Sequence, residues 1–415
     1  MSAIPDALTR AQLHHQQCEF AEAVALLQEV VKEDPHHAVA FCALGKSLKR
    51  LVRLAEAQVA LENAVRIQPG FAEAHYQLGL VLGQQQKVQE SLGCFFQALA
   101  NQPHFPEVHF NLGLAMAHLK KKPQAVFHFR QAIAQHPDFA EAHLHLAVVL
   151  EEEESWDESL ATFRRFLEMR PDHTEARNRL GIALARAQRF EEAVSQFRIV
   201  IGLQPGGPAA YHNIAVALAD QGKLTEALGY FDETLRLNPD HAEAHKGKGM
   251  ALLKMGRLED GWPDYEWRLK CKDSSVATCS KPMWDGGPLH GKTILVRAEQ
   301  GFGDGLQFIR YARLVEESGG TVLFESPAEL ARLLKNCNGI DGIVLRNAPE
   351  PEFDVYAPLL SLPRILNTSF QFPFSVWRNK RIEGYHGVSS RSVSQRQHEM
   401  TGKGTHTGTP SPPAK

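Results

Sequence analysis

The chain has 415 residues, of which 43% are hydrophobic and 22% are charged, so it can bury a sizeable core and is not compositionally disordered as a whole. Lysine and arginine together number 45 against 48 aspartates and glutamates, and this balance excludes the general basic field that attracts nucleic acid. The six cysteines are scattered without a CxxC pair, which favours reduced thiols over a disulfide-stapled secreted domain.

The N-terminal segment lacks a basic stretch followed by an apolar core, and no apolar run approaches the roughly 18 residues of a membrane helix. We therefore expect a soluble, cytoplasmic protein that has neither a membrane nor a nucleic acid as its partner.

An internal repeat organises the first part of the chain. Prolines recur every 34 residues, at Pro35, Pro69, Pro103, Pro137, Pro171, Pro205 and Pro239. When each repeat is counted so that its proline is the thirty-second position, position eight is always small: Ala11, Gly45, Gly79, Gly113, Ala147, Gly181, Ala215 and Gly249. Position twenty is small in the same way, and position twenty-four is large and apolar: Leu27, Leu61, Phe95, Phe129, Phe163, Phe197, Phe231 and Tyr265. This pattern predicts pairs of helices that approach closely at the small residues.

Each predicted helix pair has apolar stripes that it cannot bury alone, so the stacking of neighbouring repeats closes the core. The proline ends the second helix because it lacks an amide donor and disfavours helix in the preceding residue. We predict an all-α solenoid over residues 1–270, with seven repeats and a degenerate eighth. That eighth repeat starts at Ala242 and carries Trp262, Pro263 and Trp267, which are typical of a terminal cap.

A second part is predicted after a hydrophilic linker at residues 271–290. Short β-branched segments predict strands at 293–296, 321–324, 342–345 and 353–356, with helical segments after the first two. This alternation predicts a partial α/β, Rossmann-like domain with a parallel sheet over residues 291–377. Residues 378–415 have few apolar side chains, and we predict a disordered C-terminal tail there.

The ladder of prolines, small residues and aromatic residues resembles the tetratricopeptide repeat (TPR) family over about 265 residues. The downstream stretch, whose best motif is Gln300-Gly301-Phe302-Gly303-Asp304, resembles bacterial proteins in which such repeats precede a GT-B glycosyltransferase-like domain. That domain is similar to heptosyltransferases and, more distantly, to protein O-glycosyltransferases. The resemblance implies half of a GT-B fold, whose nucleotide-sugar donor is held mainly by a second, C-terminal half. Because the chain ends before that half could form, we expect a truncated protein that holds no cofactor and takes a nucleotide sugar only in a longer form.

The same resemblance implies a role for Asp304, which matches the family's glycine-aspartate motif, as the general base that acts on an acceptor hydroxyl. The alternative is that Asp304 caps the helix that follows the loop. Gly301 and Gly303 either contact phosphate or sugar or permit a tight turn from strand to helix. Leu306 stands where the third glycine of a GxGxxG fingerprint belongs, which disfavours a nicotinamide or flavin cofactor.

Histidines occupy position four of four repeats: His75, His109, His143 and His245. A metal site is disfavoured, because these residues lie one solenoid layer apart, whereas zinc needs three or four ligands around one ion.

In TPR proteins the concave surface is formed mainly by the first helix of each repeat, at positions two, five, six and nine. Position nine is apolar in five successive repeats, and asparagines stand at position six of two of them. We predict that this surface binds an extended peptide through Tyr76, Leu80, Phe110, Asn111, Leu114, Val148, Ile182, Asn213 and Val216. The alternative is that the apolar series packs against the neighbouring first helices as part of the core.

Two functions remain open. The first is a protein-interaction scaffold that binds a protein partner as an extended peptide. The second is a sugar transferase whose repeats select the acceptor.

Overall fold

The computed structural model describes residues 3–272, 279–299 and 301–368. The first of these ranges forms a series of helices joined by short turns, and the last two form a small sheet with its helices. The predicted tail, residues 378–415, lies outside the described residues, as does Gln300.

The helices up to residue 265 have nearly constant lengths. They are α1 (Ala3–Gln16), α2 (Phe20–Glu33), α3 (Ala38–Arg50), α4 (Leu54–Ile67), α5 (Ala72–Gln84), α6 (Val88–Asn101), α7 (Pro106–His118), α8 (Lys122–Gln135), α9 (Ala140–Glu152), α10 (Trp156–Met169), α11 (Thr174–Arg186), α12 (Phe190–Leu203), α13 (Pro208–Asp220), α14 (Leu224–Leu237), α15 (Ala242–Lys254) and α16 (Leu258–Tyr265). Each odd-numbered helix packs against the even-numbered helix that follows it, and successive pairs pack against each other. The predicted all-α solenoid is confirmed.

The recurring prolines end the second helices as predicted. Each second helix from α2 to α14 stops two residues before its proline. The residue that precedes the proline has left the helical region, with φ of −126° at Asp34 and −141° at Asn238. This is the backbone conformation that a following proline ring requires.

The small and large positions of each repeat face one another inside the helix pair. A Cβ atom added at Gly79 would lie 2.5 Å from the ring of Phe95, and one added at Gly113 would lie 2.6 Å from the ring of Phe129. The aromatic side chains at this position from Phe129 to Phe231 are almost completely buried. The ring therefore occupies the space that a side chain at position eight would take, which explains the pairing seen in the sequence.

The turn between the two helices of a repeat passes through one residue with a left-handed backbone. These residues are 34 positions apart and have φ between 57° and 79°: Cys18, Val52, Gln86, Lys120, Glu154, Gln188, Gly222 and Gly256. Only the last two are glycines, which adopt this conformation without steric cost. The valine is the most strained of the set because its Cβ is branched.

The eighth helix pair departs from the others in its second helix. Pro263 lies inside α16, which has eight residues, and the chain then continues as a 3₁₀ helix, Glu266–Lys270. A Cβ atom at Gly249 would meet the backbone of Tyr265 rather than an aromatic ring. The two helices of this pair therefore still approach each other closely at position eight, although the second helix is shorter than in the other repeats.

A four-stranded parallel sheet follows. Its strands are β1 (Thr293–Arg297), β2 (Thr321–Ser326), β3 (Gly342–Leu345) and β4 (Val355–Pro358), in the spatial order β3-β2-β1-β4. The intervening helices are α17 (Phe302–Phe308), α18 (Ala312–Glu316), α19 (Ala328–Leu334) and α20 (Leu362–Ile365), with 3₁₀ turns at Ile309–Tyr311 and Leu359–Ser361. The first three strands appear where they were predicted, and the fourth begins two residues later than predicted.

The core around the sheet is apolar and includes a side chain from the segment that precedes β1. Ile294, Val296, Val322 and Phe324 are fully buried against the helices, and Trp284, from the predicted linker, belongs to the same cluster. The backbone N–H of Trp284 donates to the carbonyl oxygen of Tyr356 in β4 at 2.8 Å. Residues 279–290 therefore form part of the packed structure.

In the part of the chain that the structure describes, no helix combines the length and the apolar character that a membrane span requires.

Candidate functional site

The first helices of the repeats lie closer to one another than the second helices do. Several pairs of consecutive first helices contact each other directly, as α3 does with α5, α7 with α9 and α13 with α15. The side of the solenoid that these helices line is therefore the inner side of its curve. We call the exposed surface of α3, α5, α7, α9, α11 and α13 on this side the groove.

The predicted peptide-binding residues all lie on first helices between α5 and α13. All except Val216 are half-buried, and Val216 is exposed, at 39%. Leu114 and Val148 each contact buried core residues while keeping part of their surface open. The two interpretations of the apolar series are therefore compatible, because one face of each side chain packs inward while the other faces the groove.

A cavity of about 720 Å³ opens in the groove between α5 and α7. It brings together three predicted residues, Leu80, Asn111 and Leu114, with Phe95 at position twenty-four of the third repeat. Its other lining residues are Lys49, Gly79, Gly83, Gln84, Gln86, Val88, Ser91, Ala115 and His118. The predicted residues of α9, α11 and α13 do not line this cavity.

The two aromatic residues of the predicted set are mainly engaged in packing between repeats. The ring centroid of Tyr76 lies 5.0 Å from that of Phe105, and burial raises the pKa of Tyr76 to about 12. The ring centroid of Phe110 lies 4.9 Å from that of Phe139 in the next turn. These contacts join each first helix to the turn that follows its repeat.

The two asparagines already use their amide nitrogens within the solenoid. Nδ2 of Asn111 donates to the carbonyl oxygen of Glu107 at 2.8 Å, and Nδ2 of Asn213 donates to Oδ1 of Asn178 at 2.8 Å. These bonds fix the orientation of each amide. The carbonyl oxygens of the two side chains are then the groups that could accept from a peptide N–H.

Lys49 is a cavity residue that the sequence analysis missed. Its ammonium group donates to Oε1 of Gln77 at 2.6 Å, and burial lowers its pKa to about 8. It stands at position twelve, where the next two repeats have Gly83 and Ala117. A charged residue at a position that is small in the next two repeats was the signal that could have revealed it.

Three of the four histidines at position four form a hydrogen bond with the turn that precedes their helix. Nε2 of His75, His143 and His245 lies 2.8 to 2.9 Å from the carbonyl oxygen of the proline six residues earlier. Because a carbonyl oxygen can only accept, the proton must sit on Nε2 in each case. His109 differs, since its Nδ1 lies 3.1 Å from Nδ1 of the buried His128. Among the described residues, no three metal-ligating side chains come together.

The end of the solenoid meets the sheet at the carboxyl ends of β1 and β4. Arg268, from the 3₁₀ helix after α16, forms two hydrogen bonds with Glu299, which follows β1, and one of 2.9 Å with Oγ of Ser361, which follows β4. Glu266 completes the cluster, bonding Arg268 at 2.7 Å and accepting from Ser361 at 3.0 Å. In parallel sheets this crevice, where the strand order reverses, is where ligands bind. In this chain the guanidinium group of Arg268 lies in the crevice.

Asp304 lies beside this cluster in the first turn of α17. The helix is preceded by Gly301, whose φ of 43° places it in the left-handed region, so Gly301 and not Asp304 is the N-terminal cap. The alternative prediction that Asp304 caps this helix is therefore wrong. Burial, and secondarily the charge of Glu299, raises the pKa of the half-buried Asp304 carboxyl. A Cβ atom at Gly303 would meet nothing within 4 Å, so this glycine has open space around it.

A smaller cavity, of about 330 Å³, lies along the ends of β1, β2 and β3. Its arginines share one carboxylate: Arg297 lies 3.2 Å from Glu325, and Arg346 lies 3.8 Å from the same side chain. Arg346 also donates to the carbonyl oxygen of Ala298 at 2.6 Å. The charged side chains of this cavity are therefore engaged mainly with residues of the cavity itself.

The comparisons with known proteins bear on the helical part. Residues 76–127, 121–165, 152–208 and 212–264 match the tetratricopeptide repeat family. The chain contains tetratricopeptide repeats. Helix pairs of the same lengths continue before this matched region, from α1 to α4.

Several solved structures are similar to parts of the chain. The TPR protein YrrB, described as having an unusual peptide-binding site, is 22% identical, with a TM-score of 0.41, covering 45% of this chain and 96% of YrrB. MamA from Desulfovibrio magneticus RS-1, from residue 41 to its end, is 17% identical, with a TM-score of 0.38, covering 42% of this chain and 98% of that protein. A chain of the Cut9–Hcn1 complex of the APC/C is 16% identical, with a TM-score of 0.43, covering 58% of this chain and 48% of that one. No curated protein sequence matches this chain.

Proposed function

We propose that the TPR solenoid, residues 1–270, is a protein-interaction scaffold that binds an extended peptide in its groove. The observation that carries this proposal is the cavity between α5 and α7, because it is open to the groove and is lined by Leu80 and Leu114 together with Asn111. Apolar walls with a few polar groups at the edge are typical of a site that binds a side chain.

The size and position of the cavity favour a peptide over a folded domain. A side chain that enters it leaves the backbone of the ligand at the groove surface, where the carbonyl oxygen of Asn111 can accept a hydrogen bond. Val148, Ile182 and Val216 extend the apolar surface along α9, α11 and α13, so further side chains of the same ligand can be partly buried. Burial of apolar surface contributes about 25 cal/mol per Å² to the binding free energy. Because these side chains lie on successive helices, that contribution is distributed along the groove.

A selection from a peptide library tests this proposal. Peptides selected by the full chain should lose binding to a variant with Leu114→Asp and Val148→Asp, provided that circular dichroism shows unchanged helicity. A matched control carries Val59→Asp and Phe127→Asp, because these side chains are exposed on the second helices α4 and α8, at 58% and 55%. Binding that survives the groove variant but not the control variant would place the ligand on the other side of the solenoid.

A second candidate function is that of a sugar transferase, in which the part from residue 291 is Rossmann-like and resembles half of a GT-B domain. One observation favours it: Asp304 lies in the first turn of the helix that follows β1, and burial raises the pKa of its carboxyl. In this proposal Asp304 takes the proton of an acceptor hydroxyl as the oxygen of that hydroxyl bonds to the anomeric carbon of a nucleotide-activated sugar. The bond between that carbon and the phosphate oxygen of the nucleotide breaks in the same step, and the nucleotide leaves as the phosphate-bearing product.

The transferase proposal is tested by incubating the full chain with a panel of nucleotide sugars and peptides selected by the groove. Sugar transfer that is lost in Asp304→Asn, with donor binding retained, would support it. The matched control is Asp285→Asn, since this aspartate lies in the segment before β1 and accepts a hydrogen bond from the backbone N–H of Gly287. Calorimetry that detects no donor binding would reject the proposal.

A further inference from the structure

The wall of the groove cavity includes one cationic side chain, Lys49, at the end of α3. The other residues that line the cavity are apolar, neutral and polar, or histidine, and none of them is a carboxylate. This ammonium group is partly buried and lies beside a space large enough for a side chain. An apolar groove that binds only apolar side chains would not need a charge at this place.

The carboxylate of Glu73, which acts electrostatically on Lys49, is already paired with another lysine. Nζ of Lys46 lies 3.0 Å from Oε1 of Glu73, and Nε2 of Gln77 donates to the same oxygen at 3.0 Å. Within the described part of the chain, Lys49 has Gln77 as its hydrogen-bond acceptor and forms no ion pair. Arg50, the next residue, lies over the ring of Phe20 at 5.1 Å and does not line the cavity.

This end of the groove is therefore a place where a negative charge is stabilised. Burial lowers the pKa of Lys49, which means that the charged form lacks the solvation or the counter-ion that it would have in water. A ligand that carries a carboxylate supplies that counter-ion. The same ligand can place an apolar side chain between Leu80 and Leu114.

We propose that the cavity takes an apolar side chain of the bound peptide while Lys49 pairs with the carboxylate of an aspartate or glutamate beside it in the peptide sequence. This inference rests on the proposed function of the groove and specifies the chemistry of the partner. The carboxylate belongs to a side chain and not to the peptide's C-terminus, because α1 and α3 extend the inner surface beyond the cavity and Val39 of α3 is exposed there, at 48%. The peptide can therefore continue past Lys49.

The experiment uses a library of random peptides fused through their C-termini to a phage coat protein, so that no library member has a free C-terminus. The full chain should select peptides in which an acidic residue stands next to a large apolar residue. Lys49→Met should select the apolar residue without the acidic one. Arg50→Gln is the matched control, since it removes one neighbouring positive charge that does not line the cavity, and it should select as the unchanged protein does.

A selected peptide, synthesised with an amidated C-terminus, gives the quantitative test. Replacing its acidic residue by the corresponding amide should weaken binding to the unchanged protein about tenfold, as expected for one partly buried charged pair. The same replacement should change binding to Lys49→Met less than twofold. A charge exchange, Lys49→Glu with lysine in the peptide, should restore part of the affinity, and circular dichroism verifies that each variant is folded.

The outcomes separate this inference from the proposed function. If the full chain selects no peptides, the groove proposal itself fails. If it selects apolar peptides without an acidic preference, or if Lys49→Met keeps that preference, the groove proposal stands and the role of Lys49 is wrong. Binding that requires a free C-terminal carboxylate in the synthetic peptide would also overturn the inference.

Discussion

Arg268 and Glu299 form a bidentate salt bridge that joins the last turn of the solenoid to the carboxyl end of β1. Nε of the arginine lies 2.7 Å from Oε2, and Nη2 lies 2.8 Å from Oε1. Both residues are buried, with 7% and 5% of their surface exposed. The backbone N–H of Leu360 donates to the same carboxylate at 3.0 Å, so that the pair also holds the end of β4. The eighth repeat thus shares one polar cluster with the sheet.

Removing this arginine should destabilise the junction. Arg268→Met leaves Glu299 buried without its cation, and we expect a loss of about 3–5 kcal/mol in the free energy of unfolding. Urea denaturation followed by tryptophan fluorescence measures it. Arg257→Met removes a comparable but exposed pair with Asp260 and should cost less than about 1 kcal/mol. Equal effects of the two changes would contradict the role of the cluster.

The left-handed turn residues allow a prediction about backbone strain. Val52 has φ of 59° and is 75% exposed, so its side chain contributes little packing to offset the strained backbone. Val52→Gly should raise the melting temperature, with a gain of about 1 kcal/mol. Gly222, with φ of 79° and open space around it, occupies the same position five repeats later. Gly222→Val should therefore cost a similar amount, and calorimetry showing both changes to be neutral would rule out strain as the cause.

Packing at position eight can be tested by the smallest possible change. Gly113→Ala places a Cβ atom 2.6 Å from the buried ring of Phe129, and we expect it to destabilise the solenoid by about 1–3 kcal/mol through overpacking. Gly93→Ala, in α6, meets nothing within 4 Å and should be neutral or slightly stabilising because alanine favours helix. Thermal denaturation of both variants measures the difference. A tolerated alanine at position 113 would be inconsistent with the close helix approach.

Two histidines, the buried His128 and the half-buried His212, make the stability of the solenoid depend on pH. Burial lowers the pKa of His128 and of His212 to about 4, with a smaller contribution from the neighbouring histidines. As the pH falls, the unfolded chain binds protons before the folded chain does, so this stabilisation is complete above pH 6.5 and is lost between about 6.5 and 4. His128→Phe should make the decline in unfolding free energy over this range shallower. An unchanged slope, with the same variant folded at pH 8, would show that His128 does not contribute.

Much of the fold could be predicted because the repeat produces a 34-residue period in the sequence. The spacing of Pro35 and its equivalents, and the pairing of Gly79 with Phe95, result from contacts that recur in every layer. Unique contacts leave no such signature. Arg268 pairs with Glu299, 31 residues away, and nothing in either local sequence indicates that they meet.

The candidate site was predictable to the same extent. Position nine indicated Leu80 and Leu114 because the apolar character recurs from repeat to repeat. The sequence did not indicate that a cavity opens between α5 and α7 or that Lys49 forms part of its wall. Both depend on how side chains of three successive repeats fit together, which the periodic pattern does not specify.

Photo-cross-linking from inside the cavity tests the central claim most directly. Gln84 lines the cavity and is exposed, so a benzophenone amino acid can replace it without removing a core contact. The same group at Phe127, exposed on α8, is the control for the opposite side. We expect peptides selected by the full chain to cross-link at position 84 and not at position 127. Cross-links at position 127 alone would show that the ligand does not lie in the groove.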